Sequence, residues 1–268
     1  NITPQGANLD LSRSQYIEET LPFVTLITPT ANRSWVLPLA IRNFYSFLYP
    51  RDKLEWIILD DPGSTDLPIS LPVDPRIRYE ILDTKLALWE KRNLAVSKAR
   101  GTIIVHLDDD DYYFETSLMT KVKLLDHYKC GAVGCTELGV YHLMDNYSYL
   151  AKTKYLSEAS MAYTKQFWQQ RPFEGVDLEW GEGYAFLRNR EDQVRKYPYF
   201  FNFIAITHFQ NYTGALRSNA QIWNKRHDYD NFFNLWDNET KQFFLELRFK
   251  ALQRQQKQPK VTITTPFD

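Results

Sequence analysis

An α/β fold built on a mainly parallel, Rossmann-like sheet is predicted for this chain. Two observations carry that prediction. Apolar, β-branched runs alternate with stretches of helical periodicity through the first half, and these runs end in Thr or Asp. The composition agrees: 268 residues, 44% hydrophobic and 24% charged, is ordinary for a globular protein of one large domain or two joined halves.

Each element follows from local sequence. Phe23 to Thr28 is an apolar strand stopped by Pro29, and Trp35 to Leu48 has helical spacing before Pro50. Leu54 to Leu59 is a second strand, closed by the turn composition Asp60-Asp61-Pro62-Gly63-Ser64. Arg76 to Leu82 reads as a third strand, Lys85 to Arg100 as a helix ended by Gly101, and Thr102 to Leu107 as a fourth strand. Ends bearing Thr28, Asp60 and Asp108 then open onto one edge. A helix from Glu115 to Tyr128 and a strand from Gly131 to Thr136 follow, and then short mixed segments rich in Tyr, Trp and Gly. Asn238 is expected to cap a final helix whose Phe243, Phe244, Leu247, Ala251 and Leu252 form a core stripe. The expected division is an arm over 1–22, a first half over 23–136, a second half over 137–215 and a helical tail segment over 216–268.

A net charge of -1 gives no basic surplus to recruit nucleic acid or an anionic surface. No apolar run reaches the ~18 residues that span a bilayer, so no membrane span is expected. The chain starts at Asn1, which is compatible with a removed leader or anchor. Cys130 and Cys135 are too few for a structural zinc site and read as buried free thiols of a reducing, cytoplasmic setting. Aromatic residues make up 15% of the chain, enough for a core and for a cleft that stacks a base and a sugar.

The most informative stretch is Thr102 to Tyr113, where an apolar strand runs into Asp108-Asp109-Asp110-Asp111. Adjacent carboxylates repel, each close pair by ~1 kcal/mol even in water, and the repulsion calls for a cation. Mg2+ or Mn2+ takes such oxygen ligands together with substrate phosphates. An acidic loop or helix N-terminus is the plainer alternative. The preceding strand argues for a site, because ligands of open α/β sheets bind beyond the strands' carboxyl ends.

Four segments in register then point to one family. Val24 to Arg33, Ile57 to Asp66, Lys91-Arg92-Asn93-Leu94-Ala95 with Ala99-Arg100-Gly101, and Leu107 to Asp111 together closely resemble GT-A fold glycosyltransferases of the family 2 type. The resemblance implies a nucleotide-diphosphate sugar donor, an oligosaccharide or glycoconjugate acceptor, and a divalent metal on an Asp-x-Asp element. It places Thr28, Pro29, Thr30, Arg33, Arg92 and Asn93 around the nucleotide, Asp108 and Asp109 near the ribose or metal-bound water, and Asp110 on the metal, with Asp108 a second candidate ligand. An acid after the second strand, Asp60 or Asp61, would accept from uracil N3–H, which favours uridine. Pro62 is inserted relative to the family pattern and leaves the choice between the two acids open.

In the second half, Pro172 to Leu187 resembles the Gly-Glu-Asp element of inverting members, in which an acid deprotonates the acceptor hydroxyl. Gly183 stands where the usual aspartate would be, so the base is assigned to Glu182, with Asp177 and Glu179 in reserve and Trp180 either stacking on the acceptor sugar or walling the core. His208 is a candidate third metal ligand, as in many metal-dependent GT-A enzymes; its alternative is a structural histidine. Two other functions fit parts of the pattern. One is a non-catalytic nucleotide-sugar or glycan-binding module, which the missing acid at 183 would permit. The other is a sugar nucleotidyltransferase, disfavoured because no Gly-rich loop with a following base succeeds the first strand.

Overall fold

A computed structural model describes residues 20–63, 71–175, 181–198, 202–211, 224–226 and 231–257. Its first half alternates as the periodicity predicts: β1 (Val24–Thr30), α1 (Leu37–Ser46), β2 (Leu54–Asp60), β3 (Ile77–Ile81), α2 (Leu88–Lys98) and β4 (Ile103–His106). Then come β5 (Tyr112–Tyr113), α3 (Ser117–Tyr128), β6 (Ala132–Gly134), β7 (Glu137–His142), β8 (Tyr147–Lys152), β9 (Ala162–Thr164) and α4 (Lys165–Gln170). The remainder is α5 (Gly181–Leu187), β10 (Val194–Lys196), β11 (Phe203–Thr207), β12 (Asn224–Arg226), α6 (Phe232–Leu235) and α7 (Asn238–Lys257).

Seven strands form the main sheet in the order β10-β6-β9-β4-β1-β2-β3. Strands β3, β2, β1 and β4 run parallel, and β9 enters antiparallel between β4 and β6. The central strands are buried on both faces because helices cover both, which is why they read as continuous apolar runs. Alternate residues serve two cores. Leu26, Trp56 and Val105 pack with Phe44 of α1 on one side, while Ile27, Ile57 and Ile104 pack with Ala95 and Val96 of α2 on the other. The register pairs Thr30 with Asp60, so β1 and β2 end together, and β4 delivers the aspartate run to the same edge.

The opposite end of the sheet is fastened by a buried carboxylate. Glu55, with no exposed side-chain surface, accepts from Thr25 Oγ1 at 2.7 Å, from the Arg100 amide at 2.7 Å and from Arg100 Nε at 2.7 Å. These bonds outweigh burial and hold the Glu55 carboxyl below its ordinary pKa. Gly101 is required here, since a Cβ would lie 2.5 Å from the Thr25 amide nitrogen. The Ala99-Arg100-Gly101 segment therefore joins α2 to β4 at the end of the sheet opposite Thr30, Asp60 and the aspartate run.

Three expectations are corrected. The mixed segments after residue 136 supply β12, β8, β7 and β11 of a second sheet, β12-β8-β7-β11-β5, that β5 completes and that the sequence did not reveal. Asp237 rather than Asn238 caps α7, its Oδ1 accepting from the Thr240 amide at 2.7 Å. Of the predicted stripe, Phe244, Leu247 and Ala251 are buried, whereas Leu252 is exposed. Both cysteines are free and buried, as expected.

Candidate active site

The aspartate run leaves β4 and meets residues from β1, α2 and the segment after β11. Asp110 is the focus: its Oδ2 accepts from Arg33 Nη1 at 3.0 Å and from Asn211 Nδ2 at 3.0 Å, and lies 3.1 Å from His208 Nε2. Arg33 also donates to Asp109 Oδ1 at 2.9 Å and to the Gln210 carbonyl at 2.8 Å. Thr30 donates to Asp109 as well. Asp111 turns inward, where its Oδ1 accepts from the Ile206 amide at 2.9 Å and so splices the run to β11.

Burial raises the pKa of Asp109 and Asp108, Asp108 to about 6, although a quarter of the Asp108 side chain reaches solvent. Arg92 opposes the shift at Asp108, while Asp110, Asp109 and Glu158 add to it. At Arg33, burial alone would lower the pKa, but Asp109 and Asp110 overcome it and lock the guanidinium in its charged form.

The two acids at the end of β2 differ in their partners. Asp61 is ion-paired with Lys91 Nζ at 2.7 Å, and the same ammonium donates to the Thr30 carbonyl at 3.0 Å. Asp60 accepts from the Tyr79 hydroxyl through Oδ2, while its buried Oδ1 has no hydrogen-bond partner among the described residues. Arg92, almost fully buried, ion-pairs with Glu182 and lies 3.8 Å from Asp108.

Two predicted nucleotide contacts are not brought here with free polar atoms. The Thr28 hydroxyl donates to the Leu107 carbonyl and accepts from Trp56 Nε1 at 2.8 Å, inside the core. Asn93 donates to the Phe173 carbonyl at 2.8 Å and accepts from the Trp168 indole at 2.8 Å, clipping the 171–175 segment to α2. Pro29 is partly exposed near the end of β1. Asp177, Glu179 and Trp180 lie outside the described residues. Sequence reasoning did not single out Lys91 or Tyr79, which partner the acids at the end of β2. The signal for Lys91 was its place beside Arg92 in the same helix.

Among the described residues no set of three or more His, Cys, Asp or Glu side chains is arranged as a metal cage. Asp110 and His208 nevertheless offer a carboxylate and an imidazole side by side. Such a pair suits Mn2+ or Mg2+ when diphosphate oxygens and water complete the shell. The Gln210 amide donates to His208 Nδ1 at 3.1 Å, so in the neutral ring Nε2 carries the proton and donates to Asp110. Ligation through Nε2 requires that amide bond to give way.

The model of glycosyl transferase family 2 matches residues 25–190. The chain belongs to this family. Its fold is of the GT-A type, shared with the mannosyltransferase PcManGT of Pyrobaculum calidifontis in complex with GDP-Man and Mn2+, at 20% identity and a TM-score of 0.56. That alignment covers 75% of this chain and 61% of the mannosyltransferase, so the chain spans less than two thirds of that relative. S. aureus TarS 1-349 in complex with UDP-GlcNAc is similar at 14% identity and a TM-score of 0.52, covering 86% of this chain and 72% of TarS 1-349. No curated protein matches the chain in sequence. No helix among the described residues is long and apolar enough to cross a membrane.

Proposed function

We propose that this family 2 member transfers a sugar from a uridine diphosphate sugar to a hydroxyl of an oligosaccharide or glycoconjugate, in one inverting displacement that depends on Mn2+ or Mg2+. The observation that carries the reading is the meeting of Asp110 and His208, separated by 98 residues, at the edge where β1, β2 and β4 end. In this reading residues 23–136 carry the donor and residues 137–215 the acceptor.

In this reading each group has a role. Asp60 Oδ1, with no hydrogen-bond partner among the described residues, accepts the N3–H of uracil, while the Lys91 pairing keeps Asp61 from competing. Thr30 and Arg33 fix Asp109 and Asp110 so that the carboxylates face the donor rather than one another. Arg92, between Asp108 and Glu182, approaches the diphosphate and opposes the charge that develops there as the leaving group departs. A divalent ion on Asp110 and His208 would add neutralisation of that same leaving charge. On the opposite face of the sugar, a carboxylate takes the acceptor proton as the new C–O bond forms.

The test is a panel of nucleotide sugars screened by thermal shift with and without Mn2+, since a ligand that binds only the folded state raises its stability. A UDP-sugar should stand out, and its turnover with an acceptor should give a product of inverted configuration by NMR coupling. Binding without any turnover would instead favour a non-catalytic module, and retained configuration would overturn the single displacement.

A further inference from the structure

Gly183 leaves a gap where inverting relatives place an acid, and the structure fills that gap from another element. Glu158 lies in the 3-10 turn Glu158–Ser160, which precedes β9. A Cβ built on Gly183 would meet Glu158 Oε1 at 2.6 Å and Glu158 Cγ at 2.7 Å. The Glu158 carboxylate therefore stands in the volume that a side chain at position 183 would enter. It is held there by the first turn of α5, with Oε1 accepting from the Gly183 amide at 3.2 Å.

The backbone of Glu158 is equally fixed. Its carbonyl accepts from the Met161 amide at 3.0 Å and from His106 Nδ1 at 2.8 Å. Burial keeps the His106 ring neutral, and with Nδ1 donating to that carbonyl its Nε2 accepts from the Tyr163 hydroxyl at 3.2 Å. His106 closes β4, two residues before Asp108, so the strand that delivers the aspartates also anchors Glu158. The Glu158 charge is close enough to Asp108 to act on its carboxyl.

Glu182, the nearest acid in sequence, is differently placed. It is ion-paired with the almost fully buried Arg92, so its carboxylate is already engaged by a cation. Glu158 forms no ion pair with a cation among the described residues.

We propose that Glu158 is the general base of the transfer, supplying from the β9 side the carboxylate that position 183 lacks. This rests on the glycosyltransferase reading. The acceptor O–H gives its proton to Glu158, its oxygen forms the bond to the anomeric carbon, and the bond from that carbon to the diphosphate oxygen breaks, UDP leaving with the electron pair. Glu182 then serves as a positioning residue for Arg92.

The experiment measures UDP release from UDP-glucose and UDP-N-acetylglucosamine at saturating Mn2+, with water as the acceptor, alongside UDP affinity. Release by the wild-type chain tests the transferase reading by itself; none from any donor would sink that reading and this inference with it. Given release, Glu158→Gln should lower kcat by ~10²-fold with UDP affinity within about twofold of wild type. Moving the acid back, in Glu158→Ala with Gly183→Asp, should recover at least about tenfold over Glu158→Ala alone, a gain that a merely structural role for Glu158 would not give. Glu182→Gln, which loosens Arg92, should weaken UDP affinity, an effect that Glu158→Gln does not have. Near-normal kcat in Glu158→Gln, or no recovery in the relocated variant, overturns the assignment while leaving the transferase reading in place.

Discussion

The Tyr79 hydroxyl donates to Asp60 Oδ2 across 2.6 Å, and the other oxygen of that carboxylate is buried with no hydrogen-bond partner among the described residues. A buried acceptor without a donor is costly in a finished fold, and in the proposed reading the uracil N3–H supplies that donor. Tyr79 thereby sets the direction in which the free oxygen points.

Asp60→Ala should weaken UDP binding by roughly 10- to 100-fold, the range for a hydrogen bond to a charged group. Asp61→Ala should act less on UDP and more on Lys91, whose ion pair it removes. Tyr79→Phe should weaken UDP by several-fold and narrow the preference for uridine over guanosine diphosphate, since Asp60 is then free to rotate. Calorimetric titration with both nucleotides decides the matter; equal losses in Asp60→Ala and Asp61→Ala would mean that neither reads the base alone.

Asp110 gathers Arg33, Asn211 and His208 on one oxygen, so it is the more exposed to charge removal. Asp110→Asn should abolish Mn2+ binding and the Mn2+-dependent part of any thermal shift, with the fold intact. His208→Ala should weaken Mn2+ less, because the ring must first give up its bond from the Gln210 amide. Mn2+ paramagnetic resonance, which counts free ion directly, checks both. Unchanged binding in Asp110→Asn would end the metal assignment.

The centre of the main sheet, β1, β2 and β4, was legible because those strands are buried on both faces and their apolar runs are uninterrupted. The edge bearing Asp60 and Asp108 to Asp110 followed from where those runs stop. The second sheet was not legible. Strands such as Tyr147–Lys152 are short and mix aromatic with polar residues, a pattern that no single period describes. Side-chain direction was also hidden: Thr28 and Asn93 sit at the expected positions, yet their polar atoms turn into the core. Glu158 has no local signal at all, because its relation to Gly183 exists only once β9 and α5 are packed together.

The close approach at Gly101 gives a test of the fold alone. Gly101→Ala would drive a methyl against the Thr25 amide and hydroxyl and Phe23 carbonyl, all within 2.9 Å, and backbone cannot yield as a flexible side chain does. Overpacking of this kind costs ~1–3 kcal/mol. Denaturant unfolding should register that loss, with nucleotide affinity unchanged because the contact lies at the far end of the sheet. A neutral substitution would mean that the α2–β4 join is looser than its bonds to Glu55 suggest.

Lys121, on α3, is fully buried, and its ammonium finds no hydrogen-bond partner among the described residues, only the face of the Tyr113 ring at 5.1 Å. Burial pushes its pKa down from 10.5 to about 7, with Cys135 and Asp108 only partly opposing. Below pH 7 the folded and unfolded chains both hold the proton, and the cost of a buried charge is carried in full. Between pH 7 and 10.5 the unfolded chain binds more protons than the folded one, so stability rises with pH across that window. Lys121→Met fills similar volume without the charge. It should therefore stabilise the fold by on the order of 2–4 kcal/mol at pH 6, less the ~1 kcal/mol of cation–π attraction it forfeits. The gain should shrink steadily toward pH 10. Urea unfolding of the two chains at pH 6, 8 and 10 measures this; a difference that does not change with pH, or destabilisation at pH 6, would show that the ammonium has a partner in the folded chain.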